Sequence, residues 1–546
     1  MQNLSYSHGI SDIPLKGETI GECLRKTVEK YGDSEALVVV SQDYRATYKE
    51  LWDQVGDVAK SLMAYGIKRG DRVGIWAPNR FEWVLVQFAT ARMGAIMVNI
   101  NPAYKAADLK FALEQSKISL LVAAHNFRKT DYVEILNHIR PDCEYPKRTI
   151  IMERDWEKFI EVGKRVSDQE LEERENSLQF DDPVNIQYTS GTTGLPKGVT
   201  LSHHNVLNNG FFIGERLKYT EKDRVCIPVP FYHCFGMVLC NLACITHGSC
   251  MVVPGEVFEP EQVMQTVQNE KCTSLNGVPT MFIAELEHPN FKNYNFSTLR
   301  TGIMAGSPCP VEAMKQVQSK MNMTEVTVCY GMTETSPVST QSHCNDPLEK
   351  RVATIGTVHP HVEIKIVDPD NGNVVPRGER GEICTRGYSV MLGYWDMPAE
   401  TAKVLDVNRW MHTGDLGIMD EDGYVKIVGR SKDLIIRGGE NIAPREIEEF
   451  IMTHEAVADV QVIGVPDQKY GEEVMAWVIL RDCFDVTTED LKDYCKGQIA
   501  TFKIPRYWKF VTEFPMTVTG KVRKVEMREI SIKELGLEDA AQILTA

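Results

Sequence analysis

Strand-like and helix-like runs alternate in the first part of the chain, and this alternation most constrains the fold. The strand-like runs are Arg72–Trp76, Ala95–Ile100 and Ile118–Ala123. Between them lie two runs with helical spacing, Phe81–Met93 and Ala106–Ser116. Parallel strands need a crossover connection, which a helix supplies, so such alternation is typical of βαβ units. The sequence therefore predicts an α/β fold whose larger part contains βαβ-rich sheets.

The last part of the chain carries a smaller pattern. Three strand-like runs, Val460–Val465, Met475–Leu480 and Tyr507–Val511, accompany one helical run, Thr487–Ile499. A chain of 546 residues also exceeds one ordinary domain. We therefore predict a second, compact α+β domain of about a hundred residues at the C-terminal end.

A loop rich in glycine and hydroxyl side chains joins two predicted strands, Pro183–Tyr188 and Gly198–Ser202. Backbone N–H groups near glycine and side-chain hydroxyls donate hydrogen bonds to phosphate oxygens, and lysine adds a positive charge. A plain turn is the alternative, because Gly and Ser also dominate ordinary turns. The residue order differs from the Walker P-loop, and no helix opens directly after the lysine. The candidate phosphate-binding residues are Thr189, Ser190, Gly191, Thr192, Thr193, Gly194, Leu195, Pro196 and Lys197.

Charge and cysteine usage narrow the class of protein. A formal net charge of -16 argues against nucleic acid as a partner, because nucleic-acid-binding surfaces are basic. The fourteen cysteines are scattered, mostly in apolar runs, which is typical of reduced thiols in a reducing compartment. No apolar run reaches the length of a transmembrane segment. The N-terminal residues lack the Arg-rich amphipathic pattern of a mitochondrial presequence, and nothing in the sequence fixes the oligomeric state.

Five segments follow one another in the order found in the adenylate-forming, or AMP-binding, superfamily. Besides the loop, these segments are Tyr330–Thr335, Thr413–Asp415, Gly429–Asp433 with Arg437–Asn441, and Pro515–Lys521. The chain resembles this superfamily over nearly its whole length. Three strings make it most similar to the medium-chain acyl-CoA synthetases of animals; they are Asn101–Tyr104, Met391–Trp395 and Ile427–Asn441.

The resemblance implies an ATP-dependent fatty acyl-CoA synthetase of lipid metabolism that forms AMP and requires Mg²⁺. Its small-molecule substrates would be a medium-chain fatty acid, ATP and coenzyme A. A carboxylate does not react usefully with a thiol, because oxide would have to leave, whereas an acyl-AMP carries a good leaving group. The site must therefore bind adenosine, phosphates and Mg²⁺, and must neutralise charge at the α-phosphate.

The resemblance also assigns nucleotide contacts. Glu334 is the candidate Mg²⁺ ligand, since this hard cation prefers oxygen ligands. Asp415 and Arg430 are the candidate ribose contacts, and Thr335 lies near the α-phosphate. The loop residues would hold the pyrophosphate part of ATP. Residues expected to line the adenine pocket are Gly306, Ser307, Tyr330, Gly331, Met332 and Thr333.

Two catalytic residues are further assigned by resemblance. Lys521 is expected to contact the acyl carboxylate and the α-phosphate together during adenylation; an ordinary lysine in a basic tail is the alternative. His233, in the aromatic segment Phe231–His233, is expected to steer the carboxylate or to act in thioester formation.

The resemblance places the domain boundary and implies a rotation between the half-reactions. Residues 1–429 would form the AMP-binding domain, and residues 430–546 a mobile domain that carries the catalytic lysine. The hinge lies near 430–433 and includes Lys432. After rotation, Gly438 and Gly439 would face the site, where the lack of side chains leaves room for the pantetheine arm of CoA.

Other functions stay open from the sequence. An aryl or other carboxylic acid CoA ligase carries the same motifs. An amino-acid adenylation enzyme is disfavoured, because such enzymes usually place an Asp after the aromatic segment and Phe231–Gly236 has none. A non-catalytic nucleotide-binding regulator is disfavoured because Lys521, Glu334 and Asp415 are all present. The compartment would be the mitochondrial matrix, by resemblance, or the cytoplasm.

Two further clusters allow more than one interpretation. Candidate acyl-tunnel walls, which equally suit the core, are Phe211, Phe212, Ile213, Met237 and Leu239. Several Cys and His residues between His233 and Cys250 suggest zinc. However, no C-x-x-C pair occurs, and Val238–Ile245 reads as an apolar helix on which free Cys behaves as a small hydrophobe.

Overall fold

The computed structural model describes residues 3–189, 196–307, 309–430, 433–437, 440–482, 484, 486–516 and 522–540, and it is an α/β protein, as predicted. Two seven-stranded sheets form its largest part. Sheet A contains, in spatial order, Gly393–Tyr394, Lys197–Ser202, Pro183–Thr189, Ile96–Asn99, Arg72–Trp76, Leu120–Ala123 and Arg148–Ile151. Sheet B contains Glu325–Thr327, Thr301–Ile303, Ser274–Leu275, Arg224–Cys226, Cys250–Val253, Glu35–Val39 and Tyr44–Thr47. Most neighbouring strands in both sheets run parallel.

Three smaller sheets and a short ribbon complete the strands. Sheet C is antiparallel and contains Tyr6–His8, Val362–Val367, Arg380–Gly387, Met411–Met419 and Val425–Arg430. Sheet D contains Cys329–Gly331, Val338–Gln341 and Thr357–Val358. Sheet E contains Glu440–Ile442, Ile435–Arg437, Gly471–Leu480, Val457–Asp467 and Tyr507–Phe510. The ribbon pairs Asn126–Phe127 with Thr130–Asp131.

Helices connect and cover these sheets. The α-helices are Ile20–Tyr31, Tyr48–Ala64, Phe81–Met93, Ala106–Ser116, Tyr132–Ile139, Met152–Gly163, Asp168–Asn176, His203–Leu217, Ala243–His247, Pro260–Asn269, Pro279–Leu286, Val311–Lys320, Leu348–Ala353, Pro398–Ala402, Pro444–Ile451, Thr488–Cys495 and Lys524–Leu535. Phe235–Leu242 is a π-helix. Short 3₁₀ turns occur at Val40–Gln42, Arg140–Asp142, Phe291–Asn293, Thr333–Thr335 and Thr501–Lys503. In the part of the chain that the structure describes, no helix combines the length and apolarity that crossing a bilayer requires.

Local sequence explains several helix boundaries. Thr47 and Ser202 each begin a helix with a capping box, in which the hydroxyl accepts an N–H from the third helical residue. The helix Phe81–Met93 ends at Gly94, whose φ of 79° is a left-handed conformation that favours glycine. From Glu82 onward this helix is buried on every side, so it forms part of the core. Its bounds and those of Ala106–Ser116 match the sequence prediction.

Glycine residues in one helix allow a close contact with the residues that follow the predicted aromatic segment, Phe231–His233. The helix His203–Leu217 packs against the π-helix Phe235–Leu242. A Cβ atom at Gly210 would lie 2.7 Å from Leu242 Cβ, and one at Gly214 would lie 2.4 Å from His247 Cε1. Two helix backbones approach this closely only where side chains are missing.

The chain passes from one sheet to another near the predicted hinge. Val425–Arg430 is an edge strand of sheet C, and Ile435–Arg437 already belongs to sheet E. Sheet E carries one hydrophobic cluster that includes Ile447 and Val462 and another that includes Trp477 and Met527. The predicted helix in this region ends earlier than expected, at Cys495, because Lys496 is extended. The division into residues 1–429 and 430–546 stays a prediction.

Candidate active site

Two antiparallel strands of sheet A position the glycine-rich loop. Thr189 lies opposite Lys197 at the ends of these strands, so the loop begins and ends at one place on the sheet. Pro196 is half-buried beside Lys197. The other loop residues predicted to contact phosphate lie outside the described residues; they are Ser190, Gly191, Thr192, Thr193, Gly194 and Leu195.

Lys197 forms an ion pair across the rim of the site. Its Nζ atom lies 2.7 Å from Glu400 Oε2 and 5.1 Å from the centre of the Tyr394 ring. Lys403 also contacts Glu400, at 2.5 Å. Hydrogen bonds from Lys197 and then Lys403 lower the pKa of Glu400 to about 2. The carboxylate of Glu400 therefore stays ionised and competes with any other anion for the ammonium group of Lys197.

Tyr394 links this ion pair to Glu334. The Tyr394 hydroxyl donates a hydrogen bond of 2.9 Å to Glu334 Oε1. Glu334 is only 6% exposed and lies in a 3₁₀ turn whose backbone accepts an N–H from Met391. Burial, reinforced by the Glu334 carboxylate, raises the pKa of Tyr394 well above its ordinary value, so its hydroxyl remains a donor. Tyr394 thus contacts both residues: Lys197 lies near its ring, and Glu334 accepts a hydrogen bond from its hydroxyl.

A second tyrosine–carboxylate pair joins the two segments predicted to hold adenosine. Tyr330 Oη donates to Asp415 Oδ2 at 2.6 Å. Asp415 follows a turn in which its N–H donates to Thr413 Oγ1 at 3.1 Å and the Gly414 N–H donates to Glu382 Oε1 at 3.0 Å. Asp415 is also the strand partner of Arg430, as expected if both contact ribose, although the Arg430 side chain lies outside the described atoms.

The chain around Tyr330 depends on glycine. A Cβ atom at Gly331 would lie 1.7 Å from the carbonyl oxygen of Pro337, so no other residue fits that backbone contact. Gly306 has a φ of 94°, and the neighbouring Ser307 is exposed. Two predicted adenine-pocket residues flank this region: Met332 is half-buried, and Thr333 is buried at the start of the 3₁₀ turn.

Thr335 is fully buried in a turn. Its hydroxyl lies 2.7 Å from the Pro337 carbonyl oxygen, to which it donates, and accepts the Met332 N–H at 3.1 Å. The observed role of this hydroxyl is thus to fix the turn that carries Glu334. A contact between Thr335 and the α-phosphate stays a prediction.

His233 precedes the π-helix. Its Nδ1 atom accepts the Phe235 N–H at 3.2 Å, and its carbonyl accepts the Met237 N–H at 3.1 Å. Phe231 is fully buried against Trp83. The sequence predicted an ordinary apolar helix here, but π-helical turns are frequent at functional sites.

Buried amides surround the segment that holds His233. Asn99 Nδ2 donates to the Tyr232 carbonyl at 3.0 Å, and Asn185 Nδ2 donates to Asn99 Oδ1 at 2.9 Å. Cys234 Sγ donates to Gln187 Oε1 at 3.1 Å, and burial raises the pKa of this thiol to about 12. The Cys234 thiol is therefore neutral, like the three amides around it.

The candidate tunnel walls are divided between two clusters of buried side chains. Phe212 packs with Val362 and Tyr388, whereas Met237 and Leu239 belong to the main core, and a role of these residues as walls of an acyl tunnel stays a prediction. The His and Cys residues between 233 and 250 also do not meet as a metal site within the described residues. Those cysteines are buried free thiols, as their apolar surroundings indicated.

Several predicted residues lie outside the described residues, and several observed ones were not predicted. Outside are Lys521, the hinge residue Lys432, and the CoA-contact candidates Gly438 and Gly439. Tyr394 lies in the string Met391–Trp395 that indicated the family, yet its bond to Glu334 was not expected. The sequence around Glu400 and Asn99 does not indicate that they belong to the site, because each bonds to a residue far away in the chain.

Comparisons with known proteins identify the family to which the chain is similar. The family described as AMP-binding enzyme matches residues 24–395, and its C-terminal domain matches residues 446–521. YngI of Bacillus subtilis (strain 168) is 49% identical over 542 residues, covering 96% of this chain and 98% of its own. The protein named medium-chain acyl-CoA ligase ACSF2, mitochondrial, of Danio rerio is 42% identical and covers 98% of this chain and 91% of its own.

A solved structure extends the comparison to the fold. The ATP-bound MatB from Rhodopseudomonas palustris superposes with a TM-score of 0.80 at 28% identity, covering 94% of this chain and 99% of its own. The two family matches together cover Lys197 and Glu334 and the three longer strands of sheet E. The chain therefore belongs to the AMP-binding enzyme family.

Proposed function

We propose that this protein is an ATP-dependent, AMP-forming acyl-CoA ligase that activates medium-chain fatty acids. One observation carries the proposal most directly: Lys197, Tyr394 and Glu334 form a connected series from the phosphate loop to the candidate Mg²⁺ ligand. The relative named a medium-chain acyl-CoA ligase, 42% identical, supports the choice of substrate class.

Adenosine is held by the second tyrosine–carboxylate pair. The buried Asp415 carboxylate accepts hydrogen bonds from the ribose hydroxyls, and Tyr330 orients that carboxylate from 2.6 Å while its ring lies along the base. Arg430, its strand partner, adds a second ribose contact. Gly306, Ser307, Gly331, Met332 and Thr333 form the rest of the adenine pocket.

Glu334 fits a Mg²⁺ ligand because it offers a buried carboxylate whose orientation is fixed by Tyr394. Glu334 would hold Mg²⁺ beside the phosphates of ATP, where the ion would supply positive charge for the departure of pyrophosphate. Thr335 holds the turn that carries Glu334 through the hydrogen bond from its hydroxyl to the Pro337 carbonyl.

Lys197 changes partner when ATP binds. The Glu400 carboxylate and the phosphates of ATP compete for the same ammonium group, which lies at the end of the loop. The phosphates carry more negative charge than the Glu400 carboxylate. They also accept hydrogen bonds from the backbone N–H groups of the glycine-rich loop, Thr189–Lys197, which favours the nucleotide over Glu400. Lys197 thus pairs with Glu400 at the rim while the site is empty, and it contacts the nucleotide once ATP binds.

The fatty acid binds beside His233. Its carboxylate lies near the imidazole and attacks the α-phosphate in line, with pyrophosphate as the leaving group. The segment Phe231–Gly236 contains no acid that would pair with an amino group. An apolar chain gains about 0.8 kcal/mol for each methylene that it buries, which favours longer acids until the space is full.

CoA enters after a domain rotation. The domain formed by residues 430–546 turns about Lys432 relative to residues 1–429 and removes Lys521 from the α-phosphate. Gly438 and Gly439 then border the pantetheine path. CoA sulfur attacks the acyl carbonyl, the acyl–phosphate bond breaks, and AMP leaves. A reducing compartment, either cytoplasm or mitochondrial matrix, suits the thirteen free thiols among the described residues.

Substrate range tests the proposal. Pyrophosphate exchange and CoA-ester formation are measured on unbranched acids from acetate to palmitate, with benzoate and 2-amino-octanoate as comparisons. We expect kcat/KM to rise several-fold per added carbon up to medium length and then to fall. Turnover of 2-amino-octanoate equal to that of octanoate would indicate an amino-acid adenylation enzyme, and a preference for benzoate would indicate an aryl acid ligase.

A further inference from the structure

Three different metal-binding side chains meet on sheet C, and none of them is among the residues discussed above as substrate contacts. Glu382 and Cys384 lie two residues apart on the strand Arg380–Gly387, so they share one face of the sheet. His412, on the neighbouring strand Met411–Met419, lies directly opposite Cys384. The strand register shifts between Glu382 and Cys384, which brings Glu382 toward the same imidazole.

The distances resemble the edges of a tetrahedral zinc site. Cys384 Sγ lies 3.5 Å from His412 Nδ1, and His412 Nδ1 lies 2.8 Å from Glu382 Oε2. All three donor atoms lie within 4.8 Å of one another. Zinc bonds of about 2.3 Å to sulfur and about 2.1 Å to nitrogen give a sulfur–nitrogen edge of about 3.5 Å at tetrahedral angles. The nitrogen–oxygen edge would need to open by about half an ångström.

Burial and charge also suit a zinc-class cation. Cys384 is fully buried, whereas the side chains of His412 and Glu382 are 35% and 17% exposed, so a fourth ligand reaches the site from solvent. Thiolate and carboxylate together would balance a divalent charge. Lys365 and Asp406, the other charged groups acting on the cluster, have opposite signs.

We propose that Glu382, Cys384 and His412 bind one zinc-class divalent cation, with water as the fourth ligand. Binding releases the Cys384 thiol proton to solvent and leaves His412 neutral, with its remaining proton on Nε2. A simple His412–Glu382 ion pair beside a buried thiol is the competing interpretation. The proposal stands independently of the proposed ligase activity, because it concerns metal binding alone.

This site would also brace the turn that carries Asp415. Glu382 Oε1 accepts the Gly414 N–H, while Oε2 faces His412. One carboxylate would therefore connect the cation to a backbone turn beside the ribose candidate. The Glu382→Gln variant keeps a hydrogen-bond acceptor for Gly414 and removes the anionic ligand.

The test uses the full chain after chelator treatment, with Zn²⁺ titrated calorimetrically and Co²⁺ as an optical probe of thiolate ligation. We expect one Zn²⁺ per chain and a thiolate–Co²⁺ charge-transfer band. Both should be lost, with affinity at least ~100-fold weaker, in Cys384→Ser and in His412→Asn. Glu382→Gln should weaken binding about 10-fold or more.

Cys143→Ser is the matched control, because Cys143 is a free cysteine of intermediate exposure outside the cluster. It should bind Zn²⁺ as the unmodified protein does. Unchanged stoichiometry and charge-transfer band in Cys384→Ser would overturn the proposal, as would a failure of the unmodified protein to bind Zn²⁺. If Cys384→Ser does not fold, the more exposed His412→Asn and Glu382→Gln variants decide the matter.

Discussion

The nucleotide half of the candidate site and its acyl half use opposite kinds of side chain. In the nucleotide half, carboxylates meet tyrosines or a lysine, as in Tyr330–Asp415 and Lys197–Glu400. Around His233, neutral groups bond to one another: the Asn185 amide donates to the Asn99 amide, and the Cys234 thiol donates to the Gln187 amide. In the proposed mechanism, the first half would stabilise charge that develops on phosphate, and the second would bind an uncharged acyl chain. Substitutions in the nucleotide half should therefore change reaction rates. Substitutions in the acyl half should change protein stability and the preferred length of the fatty acid.

Loss of the lysine predicted for adenylation should give the largest effect. We expect Lys521→Ala to lower pyrophosphate exchange by about 10²–10³-fold, because one preorganised charge at the transition state is removed. CoA-ester formation from supplied acyl-AMP should be nearly unchanged. Single-turnover assays of each half-reaction measure this difference. An equal loss in both half-reactions would contradict the adenylation role of Lys521 and leave the nucleotide half without its mobile cation.

Separate substitutions of Glu334 and Tyr394, which share one hydrogen bond, should lower the rate of pyrophosphate exchange by different amounts. Glu334→Gln should lower pyrophosphate exchange by about 10²-fold and raise the Mg²⁺ concentration required, because the metal loses its anionic ligand. Tyr394→Phe should lower it only about 10-fold, since a hydrogen bond to a charged group is worth about 1.5–3 kcal/mol.

Rates measured across a Mg²⁺ titration distinguish the two roles. The Tyr394→Phe defect should remain at saturating Mg²⁺ if the tyrosine also supports Lys197, whose ammonium lies 5.1 Å from its ring centre. If Glu334→Gln behaves like Tyr394→Phe at every Mg²⁺ concentration, Glu334 is not a metal ligand.

The difference between the nucleotide half and the acyl half also explains which features could be predicted from the sequence. Lys197 was proposed from the composition of its loop, whereas Glu334 and Asp415 were proposed because their strings resemble those of the adenylate-forming superfamily. The side-chain pairings were not predicted, because Tyr330 bonds to Asp415 across 85 residues and Lys197 to Glu400 across 203. Only the folded sheets bring such residues together.

In the acyl half, even the backbone was only partly predictable. The run from Phe235 is apolar and helical in composition, so it gives no local sign of a π-helix. Phe212 was predicted to be either a tunnel wall or part of the core, and its ring packs against Tyr388 and His361. By contrast, the strands and helices from Arg72 to Ala123 were predicted closely, since a buried βαβ pattern depends on local periodicity.

Packing behind His233 should be sensitive to added volume. We expect Gly210→Ala to lower the free energy of unfolding by about 1–3 kcal/mol, because the new methyl group would lie 2.7 Å from Leu242 Cβ. Any remaining activity should shift toward shorter acids if the π-helix moves into the substrate space. Denaturant unfolding and the acid series measure both effects.

Gly17→Ala is the matched control, because a Cβ atom there would meet nothing within 4 Å. It should leave stability within about 0.5 kcal/mol of the original value. Equal destabilisation by both variants would show that the close helix contact at Gly210 is not responsible.

The smallest effect should come from the rim of the nucleotide half. Glu400→Gln should lower KM for ATP about two- to five-fold, because an ion pair at the rim is weak and here opposes phosphate binding. The difference from the unmodified enzyme should shrink as salt is added. Initial rates at several ionic strengths measure it. A higher KM would mean that Glu400 orients Lys197 toward phosphate instead of competing with it.

The pairing of early and late strands has a consequence for synthesis. Ser5 Oγ donates to the carbonyl of Pro376, 371 residues further along the chain, and the strand Tyr6–His8 pairs with Val362–Val367. At about 5–20 residues per second, the ribosome needs roughly 20–70 s to supply that partner. Glu35–Val39 likewise waits for Cys250–Val253 in sheet B. During translation Tyr6–His8 lacks its partner strand, whereas Glu35–Val39 can pair early with Tyr44–Thr47 and leaves one edge unpaired. Protection of these edges from aggregation in that interval falls to chaperones or to neighbouring nascent helices.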